Sequence, residues 1–244
     1  MSIGCCIITY NEEKNIENTL KALSFCDEIV IVDSFSKDST IDIAKKYTDK
    51  IYTQEWLGYG KQKNFAISKM STDWILSIDA DEIVTKQLAQ EIPSAINKQD
   101  AEAFLINIQL VFMGKALRFG GTYPDYHLRL FKKGLFQFRE DSIHERIDSK
   151  AKRLKGKIMH YSYENLEDYL EKLNKYTSLI ALSHKKNNKK VSNIFPFLRA
   201  FYEFNKRFLF KGAFLDGYEG SVYALLSSFY SFTKYAKLIE LNRK

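Results

Sequence analysis

Three carboxylates fall within four residues at Asp79-Ala80-Asp81-Glu82, directly after the apolar run Trp74–Ile78. Acidic side chains are almost never buried unpaired, so the charge should begin where this run leaves the core. In an extended segment Asp79 and Asp81 lie on the same side, able to share one hard cation. Mg²⁺ or Mn²⁺ suits such a pair, because these ions favour carboxylate oxygen and complete their shell with water and substrate phosphate. A lone Asp-x-Asp is common at solvated turns, and only its surroundings raise this one above them.

Those surroundings are strand and helix in alternation. Ile3–Thr9 reads as a buried strand, and Asn11 as the N-cap of a helix carrying Ile16, Leu20 and Leu23. Glu28–Asp33 is a second strand, followed by the polar turn Ser34–Asp38 and a helix with Ile41, Ala44 and Tyr47. Lys50–Thr53 is a short third strand. Gly58–Asn64 then leads into a helix, and Trp74–Asp79 is the fourth strand. This alternation predicts an α/β fold, a mostly parallel sheet with helices on both faces. A right-handed parallel sheet sets its carboxyl ends on one edge, where ligands bind. Thr9–Glu12, Asp33 and Asp79/Asp81 would meet there.

Further along, Gln87–Ile96 reads as a helix, Ala103–Leu110 as an outer strand and Tyr126–Phe131 as another strand, with Val111–Tyr123 a mobile loop between them. From Asn165 the strands stop, dividing the chain into residues 1–164 and a helical C-terminal region, 165–244. Lys185–Lys190 is a basic break within it. Beyond it, Phe195, Phe197, Phe201, Tyr202, Phe204, Phe208 and Phe210 lie among Arg199, Lys206, Arg207 and Lys211. Such a mixture fits a helical core or a helix lying on an anionic membrane surface.

Hydrophobic residues make up 45% of the chain and there are three prolines, which argues against disorder. Lys and Arg outnumber Asp and Glu by 37 to 30. That excess suits nucleotide phosphates, nucleic acid or an anionic lipid face, but no nucleic-acid motif is present, so nucleic acid is not expected as a partner. Neighbouring Cys5 and Cys6 point to opposite faces of a strand, and with Cys26 they form an odd, unpatterned set, which suits a reducing cytosol. Neither a signal peptide nor a membrane span is expected. Dinucleotide and P-loop fingerprints are both absent. The chain is therefore expected in the cytoplasm, peripheral at the inner face of the cell membrane if the C-terminal region docks there.

Ile8-Thr9-Tyr10-Asn11-Glu12-Glu13, Glu28–Ser34, Lys61-Gln62-Lys63-Asn64 and Asp79-Ala80-Asp81-Glu82 resemble, in order, the motifs of family 2 glycosyltransferases. They are most similar to the branch that includes lipopolysaccharide inner-core β-glucosyltransferases. The resemblance implies a nucleotide-diphospho-sugar-binding GT-A fold, a nucleotide-diphosphate sugar as donor (UDP-sugar favoured) and inversion at the anomeric carbon. The acceptor would be a glycan or glycolipid. Thr9, Asn11 and Glu12 would line the nucleotide pocket, and Asp33 would accept from the base. Lys63 would lie near the nucleotide or the diphosphate, and Arg129 would support the diphosphate or form a structural salt bridge. Asp81 would hold the metal, with Asp79 on ribose and metal, and His144 or His160 could complete its shell. Inverting transfer needs a carboxylate to take the acceptor proton; Glu145 is the first choice and Asp141 the second. No Gln-x-x-Arg-Trp follows, so a single addition of a hexose, glucose above others, is expected over processive synthesis. The rivals are a nucleotidyltransferase, whose Gly-rich basic loop is missing after the first strand, and a non-catalytic membrane- or protein-docking module.

Overall fold

The computed structural model describes residues 1–138, 151–163 and 165–243. Two compact units divide the chain: residues 1–108 with 125–160, and residues 109–124 with 161–244. In chain order the first elements are β1 (Ile3–Thr9), α1 (Ile16–Lys21), β2 (Glu28–Asp33), α2 (Thr40–Ala44), β3 (Ile51–Thr53), α3 (Tyr59–Ser68), β4 (Trp74–Asp79), β5 (Glu82–Val84), α4 (Lys86–Asn97) and β6 (Ala103–Phe112). After the two-residue β7 (Lys115–Ala116) come β8 (Tyr126–Lys132) and β9 (Ala151–Tyr163). The strands are ordered β3-β2-β1-β4-β8-β6-β9-β5, with β7 paired to β6. The first four are parallel to one another, whereas β8 joins β4, β6 joins β8 and β5 joins β9 antiparallel.

Central β1 shows why this half of the sheet reads as unbroken apolar sequence: it is covered on both faces. Ile3, Cys5 and Ile7 pack with Ile16 and Leu20 of α1 and with Leu88, Ile92 and Ile96 of α4. Cys6 and Ile8 pack with Ala66 of α3 and with Met70 on the opposite face. Each such buried aliphatic contributes roughly 1.5–3 kcal/mol by leaving water. In α4 the apolar residues recur every four positions, and Thr85 caps the helix by accepting from the Leu88 N–H.

Two local expectations fail. Asn11 does not cap α1, which begins at Ile16 behind Asn15. It instead takes φ +55°, a left-handed conformation that Asn tolerates because its short side chain can bond nearby backbone. Residues 111–123 are not a loose loop. They belong to the second unit, where the Asp216 carboxylate accepts from the Arg118 and Phe119 N–H groups at 2.8 and 2.7 Å. Gly120 N–H also donates to the Lys211 carbonyl, and Arg207 Nη1 to the Gly120 carbonyl.

The rest of the second unit is helical: α5 (Leu166–Lys186), α6 (Phe195–Asn205), a π-helical turn at Lys206–Phe210, a 3₁₀ turn at Ala213–Asp216 and α7 (Gly217–Arg243). Asn165 caps α5 through its side chain, accepting from the Asp168 N–H. Phe112, Leu117, Tyr169 and Leu173 form one small core. The aromatic run divides in two. Phe195 is turned inward against Tyr235, while Phe197, Phe201 and Phe210 are 58, 72 and 82% exposed. Among the described residues no helix is long and apolar enough to cross a membrane.

Candidate active site

Parallel pairing puts Thr9 beside Asp33 and Ile8 beside Asp79, so β1, β2 and β4 end side by side. At this carboxyl edge the loops after β1 and β2 are stitched together. Asp33 accepts from the backbone N–H and hydroxyl of Ser36. The Ser36 hydroxyl in turn accepts from the Asn11 N–H at 2.8 Å, and Asn11 Oδ1 accepts from the Lys37 N–H at 2.8 Å. Glu12 N–H donates to Thr40 Oγ1, and the Glu12 carboxylate accepts from Asn15 Nδ2. The positive φ of Asn11 is what lets its N–H and its side chain serve different parts of the second loop. Thr9 is buried at the floor, and its hydroxyl has no hydrogen-bond partner. Buried polar atoms of this kind usually have a partner, so Thr9 Oγ1 is free to meet a ligand.

A second cluster forms where β4 meets β8. The Asp79 carboxylate lies 2.9 Å from Lys63 Nζ and 3.3 Å from Arg129 Nη2. Arg129 Nη2 also donates to Glu82 Oε1 at 2.6 Å, and its Nη1 to the Ser77 carbonyl at 3.4 Å. Glu82 closes the turn by accepting from the Asp79 N–H at 2.8 Å. Burial alone would raise the Asp79 pKa, but Lys63 and then Arg129 overcome it and hold the carboxyl well below the usual range. Glu82 is fully buried; desolvation raises its pKa and Arg129 only partly offsets this, with Asp79 pushing the same way as burial.

The chain turns at Ala80–Asp81 and does not continue extended, so Asp79 and Asp81 meet different partners. Asp81 Oδ2 lies 3.3 Å from His160 Nε2 on β9, the strand on which His160 stands opposite Glu82. Burial would depress the His160 pKa, but the hydrogen bond and charge of Asp81, followed by Glu82 and Asp79, raise it.

The structure thus gathers Asp79, Lys63 and Arg129 into one cluster and Asp81 with His160 into a second, beside the loop network of Asn11, Glu12 and Asp33. Asp141, His144 and Glu145 lie outside the described residues. Ser36, Thr40 and Glu82 are site residues that the sequence reading did not assign. Glu82 carried a signal, since an acid three residues beyond Asp79 can turn back onto its amide. Ser36 and Thr40 lay in and beside a recognised polar turn, with nothing to say which loop they would bind.

A divalent cation can be tested against this donor set. Among the described residues no three His, Cys, Asp or Glu side chains converge as a metal cage. Asp81 and His160 supply a carboxylate and an imidazole in contact. Mg²⁺ and Mn²⁺ sites commonly use one or two protein carboxylates and fill the shell with water and substrate phosphate, and imidazole is also a transition-metal ligand. The pair fits an ion shared with a diphosphate.

The sequence profile of Glycosyl transferase family 2 matches residues 5–158. An uncharacterized glycosyltransferase of Rickettsia typhi is 32% identical over 99% of this chain and 88% of its own length. The lipopolysaccharide core biosynthesis glycosyltransferase LpsC of Rhizobium meliloti is 27% identical over 93% of this chain and 91% of its own. Among solved structures, Staphylococcus aureus TarS residues 1–349 in complex with UDP-GlcNAc matches with a TM-score of 0.52 and 18% identity, covering 98% of this chain and 89% of that one. That match shows the fold, a mixed sheet with covering helices of GT-A type. Profile and relatives extend the motif resemblance along nearly the whole chain, and the chain belongs to glycosyl transferase family 2.

Proposed function

We propose that this glycosyltransferase moves a single hexose, glucose above others, from a UDP-sugar to a lipopolysaccharide-core or other lipid-linked glycan, with inversion. The observation that carries the reading is the ordered carboxyl edge: the loop network around Asp33 beside the Asp79–Lys63–Arg129 cluster and the Asp81–His160 pair. The name of LpsC supports the acceptor class, and the UDP-GlcNAc held by TarS supports the donor class. Asn11, Glu12 and Asp33 form the rim for the nucleotide, with the Thr9 hydroxyl beneath it. Asp79, held ionised by two cations, suits ribose hydroxyls, which donate to a carboxylate. Arg129 keeps Asp79 and Glu82 in place and adds positive charge below the diphosphate. Asp81 and His160 would hold Mg²⁺ or Mn²⁺, which when bound would neutralise charge on the leaving nucleotide diphosphate. Glu145, or failing it Asp141, takes the proton from the acceptor hydroxyl.

The test is a donor screen that follows nucleotide release with and without Mn²⁺. Asp81→Ala should abolish metal-stimulated turnover while the fold survives, and undiminished turnover would remove the metal assignment. Glu145→Gln should slow transfer by about two orders of magnitude with donor affinity unchanged. If Asp141→Asn alone shows that pattern, the base is Asp141.

The same reading puts the enzyme on the cytoplasmic face of an anionic membrane. Its support is the exposed set Phe197, Phe201 and Phe210 beside exposed Lys211, on a chain of net charge +7. Rings of this kind sit at headgroup level, and each nearby cation adds roughly 1 kcal/mol on an anionic surface. The full chain should pellet with anionic but not neutral liposomes, less so at high salt. A Phe201→Ser/Phe210→Ser variant should stay in the supernatant, and unchanged pelleting of that variant would withdraw the docking face.

A further inference from the structure

We infer that the helical unit carries a second binding site, for the anionic group (phosphate or carboxylate) of a sugar on the acceptor glycan. The word acceptor rests on the function proposed above; the cavity and its charge do not. The cavity has a volume of about 410 Å³, within the usual range of roughly 300–1,000 Å³ for small-molecule sites. Five tyrosines line it, together with Ser227 and Ser231.

The charges are what give the cavity a ligand. Three cations line it, Arg199, Arg207 and Lys234, against one acid, Glu203. Glu203 is already committed: Arg207 Nε donates to it at 2.7 Å, and Lys206 Nζ lies 3.9 Å away. Arg207 spends a further donor on the Gly120 carbonyl. Arg199 and Lys234 are left with no carboxylate partner among the described residues. Arg199 lies over the Tyr202 ring at 5.4 Å, and its Nε is buried with no hydrogen-bond partner. Lys234 Nζ lies over the rings of Tyr230 and Tyr235, 5.7 and 5.3 Å from their centres.

Drawing cations out of water without a counter-charge costs free energy unless they are paired and hydrogen-bonded. Facing rings recover part of that cost, yet they leave the donors unspent. Phosphate and carboxylate oxygens match such donors in short, charge-assisted hydrogen bonds. Burial already lowers the Lys234 pKa, the direction expected of an ammonium waiting for an anion. The remaining lining suits a sugar better than a bare ion: serine hydroxyls for its hydroxyl groups, and tyrosine rings for its apolar faces. Inorganic phosphate offers nothing apolar to the rings that line the cavity.

The probe is glucose 6-phosphate, titrated calorimetrically into the full chain beside glucuronate, glucose and inorganic phosphate. The charged sugars should bind at least tenfold more tightly than glucose or inorganic phosphate. Arg199→Gln and Lys234→Met should each weaken glucose 6-phosphate by at least tenfold, while Arg199→Lys, which keeps the charge, should recover most of the affinity. UDP affinity, read in the same variants, is the control for folding of the sheet, and far-UV circular dichroism is the control for the helices. Undiminished sugar-phosphate binding in folded Arg199→Gln and Lys234→Met would overturn the site. Equal binding of inorganic phosphate and glucose 6-phosphate would overturn the sugar. Charged-sugar binding absent, with anionic vesicles captured through Arg199 and Lys234 instead, would overturn the proposal in favour of a lipid headgroup. If glucose 6-phosphate binds as expected but no UDP-sugar is bound or turned over, the transferase reading fails and the cavity stands.

Discussion

The parallel and antiparallel halves of the sheet handle charge differently. In β2 and β4 the charged groups, Glu28, Asp33 and Asp79, stand at strand termini; β1 carries none, and the residues between are uncharged and, Ile29 apart, buried. In the antiparallel half charge also lies inside the strands, Arg129 in the middle of β8 and His160 within β9, while Glu82 opens β5 opposite His160. Parallel strands supply a platform with the candidate ligand groups on its edge. Antiparallel strands supply the side chains that fix those groups, since Asp79 is held by Arg129 and Asp81 by His160. A site built across this seam needs both, and substitutions on either side of it should differ in kind as well as in size.

The largest effect is expected at Arg129. Replacing it by Met leaves Glu82 fully buried and Asp79 without one of its two cations. Removing one partner of a buried ion pair typically costs about 3–5 kcal/mol. Urea denaturation of Arg129→Met should show a loss of that order, and Arg129→Met/Glu82→Gln should recover part of it because no unpaired buried charge remains. A loss of under about 1 kcal/mol, in the range of exposed ion pairs, would mean that the seam is not held by these charges.

These halves also differed in how far the sequence could be read. The boundaries of β1, β2 and β4 follow from apolar runs cut off by polar turns, a local signal. Strand β5 is three residues long and begins with a buried acid, which no hydrophobic period can reveal. In β9 only Leu154 and Ile158 are buried aliphatics, with Lys155 and Lys157 between and beside them, so it reads as a basic surface segment. Its role is decided by pairing with β5, a contact between residues more than seventy apart in sequence. Asp33 and Asp79 were legible because they end strands, whereas the Asp81–His160 contact was legible only as a candidate metal ligand among others. The cations of the helical cavity come from α6 (Arg199), the π-helical turn (Arg207) and α7 (Lys234), and periodicity does not say which of these elements face one another.

A smaller effect should separate two glycines, one from each half. A Cβ on Gly156 of β9 would lie 2.4 Å from the Leu88 Cα, a backbone atom of α4 that has nowhere to turn. A Cβ on Gly4 of β1 would meet the terminal methyl of Met70 at 2.1 Å and the Thr72 hydroxyl at 2.4 Å, both side-chain atoms. Overpacking a close contact costs roughly 1–3 kcal/mol. Gly156→Ala should fall at the upper end, because strand or helix must shift, and Gly4→Ala at the lower, because Met70 can change rotamer. Thermal denaturation of the two variants measures this order, and a Gly4→Ala loss exceeding that of Gly156→Ala would reverse the argument.

The smallest effect concerns Glu28, a buried acid in the parallel half that lies at the opposite, amino edge of the sheet. Its carboxylate accepts from the Ser71 and Thr72 N–H groups at 2.7 and 3.2 Å and pairs with half-exposed Lys50. Burial pushes the Glu28 pKa up, but the Lys50 hydrogen bond and the Ser71 N–H outweigh it, leaving the pKa below the ordinary value. A carboxyl depressed by folding is ionised more readily in the native than in the unfolded chain. Its stabilisation is therefore complete above the unfolded pKa of about 4.3 and is lost as pH falls through the lower folded value. Glu28→Gln can keep one oxygen for both N–H groups, but it cannot titrate and puts an amide nitrogen where the other oxygen meets Lys50. The variant should lose about 1 kcal/mol at neutral pH, the gap closing as the wild-type chain is acidified below about pH 4. Since Lys50 is open to solvent and its pairing is screened, Lys50→Met should cost less, a few tenths of a kcal/mol. Parallel stability–pH curves for the wild-type and Glu28→Gln chains would show that the two amides do not select the ionised form. With a closing gap, Glu28 would be an acid fully explained by the backbone it anchors. Asp79 and Asp81, whose partners are side chains at the carboxyl edge, would then stand apart from it by chemistry as well as by position.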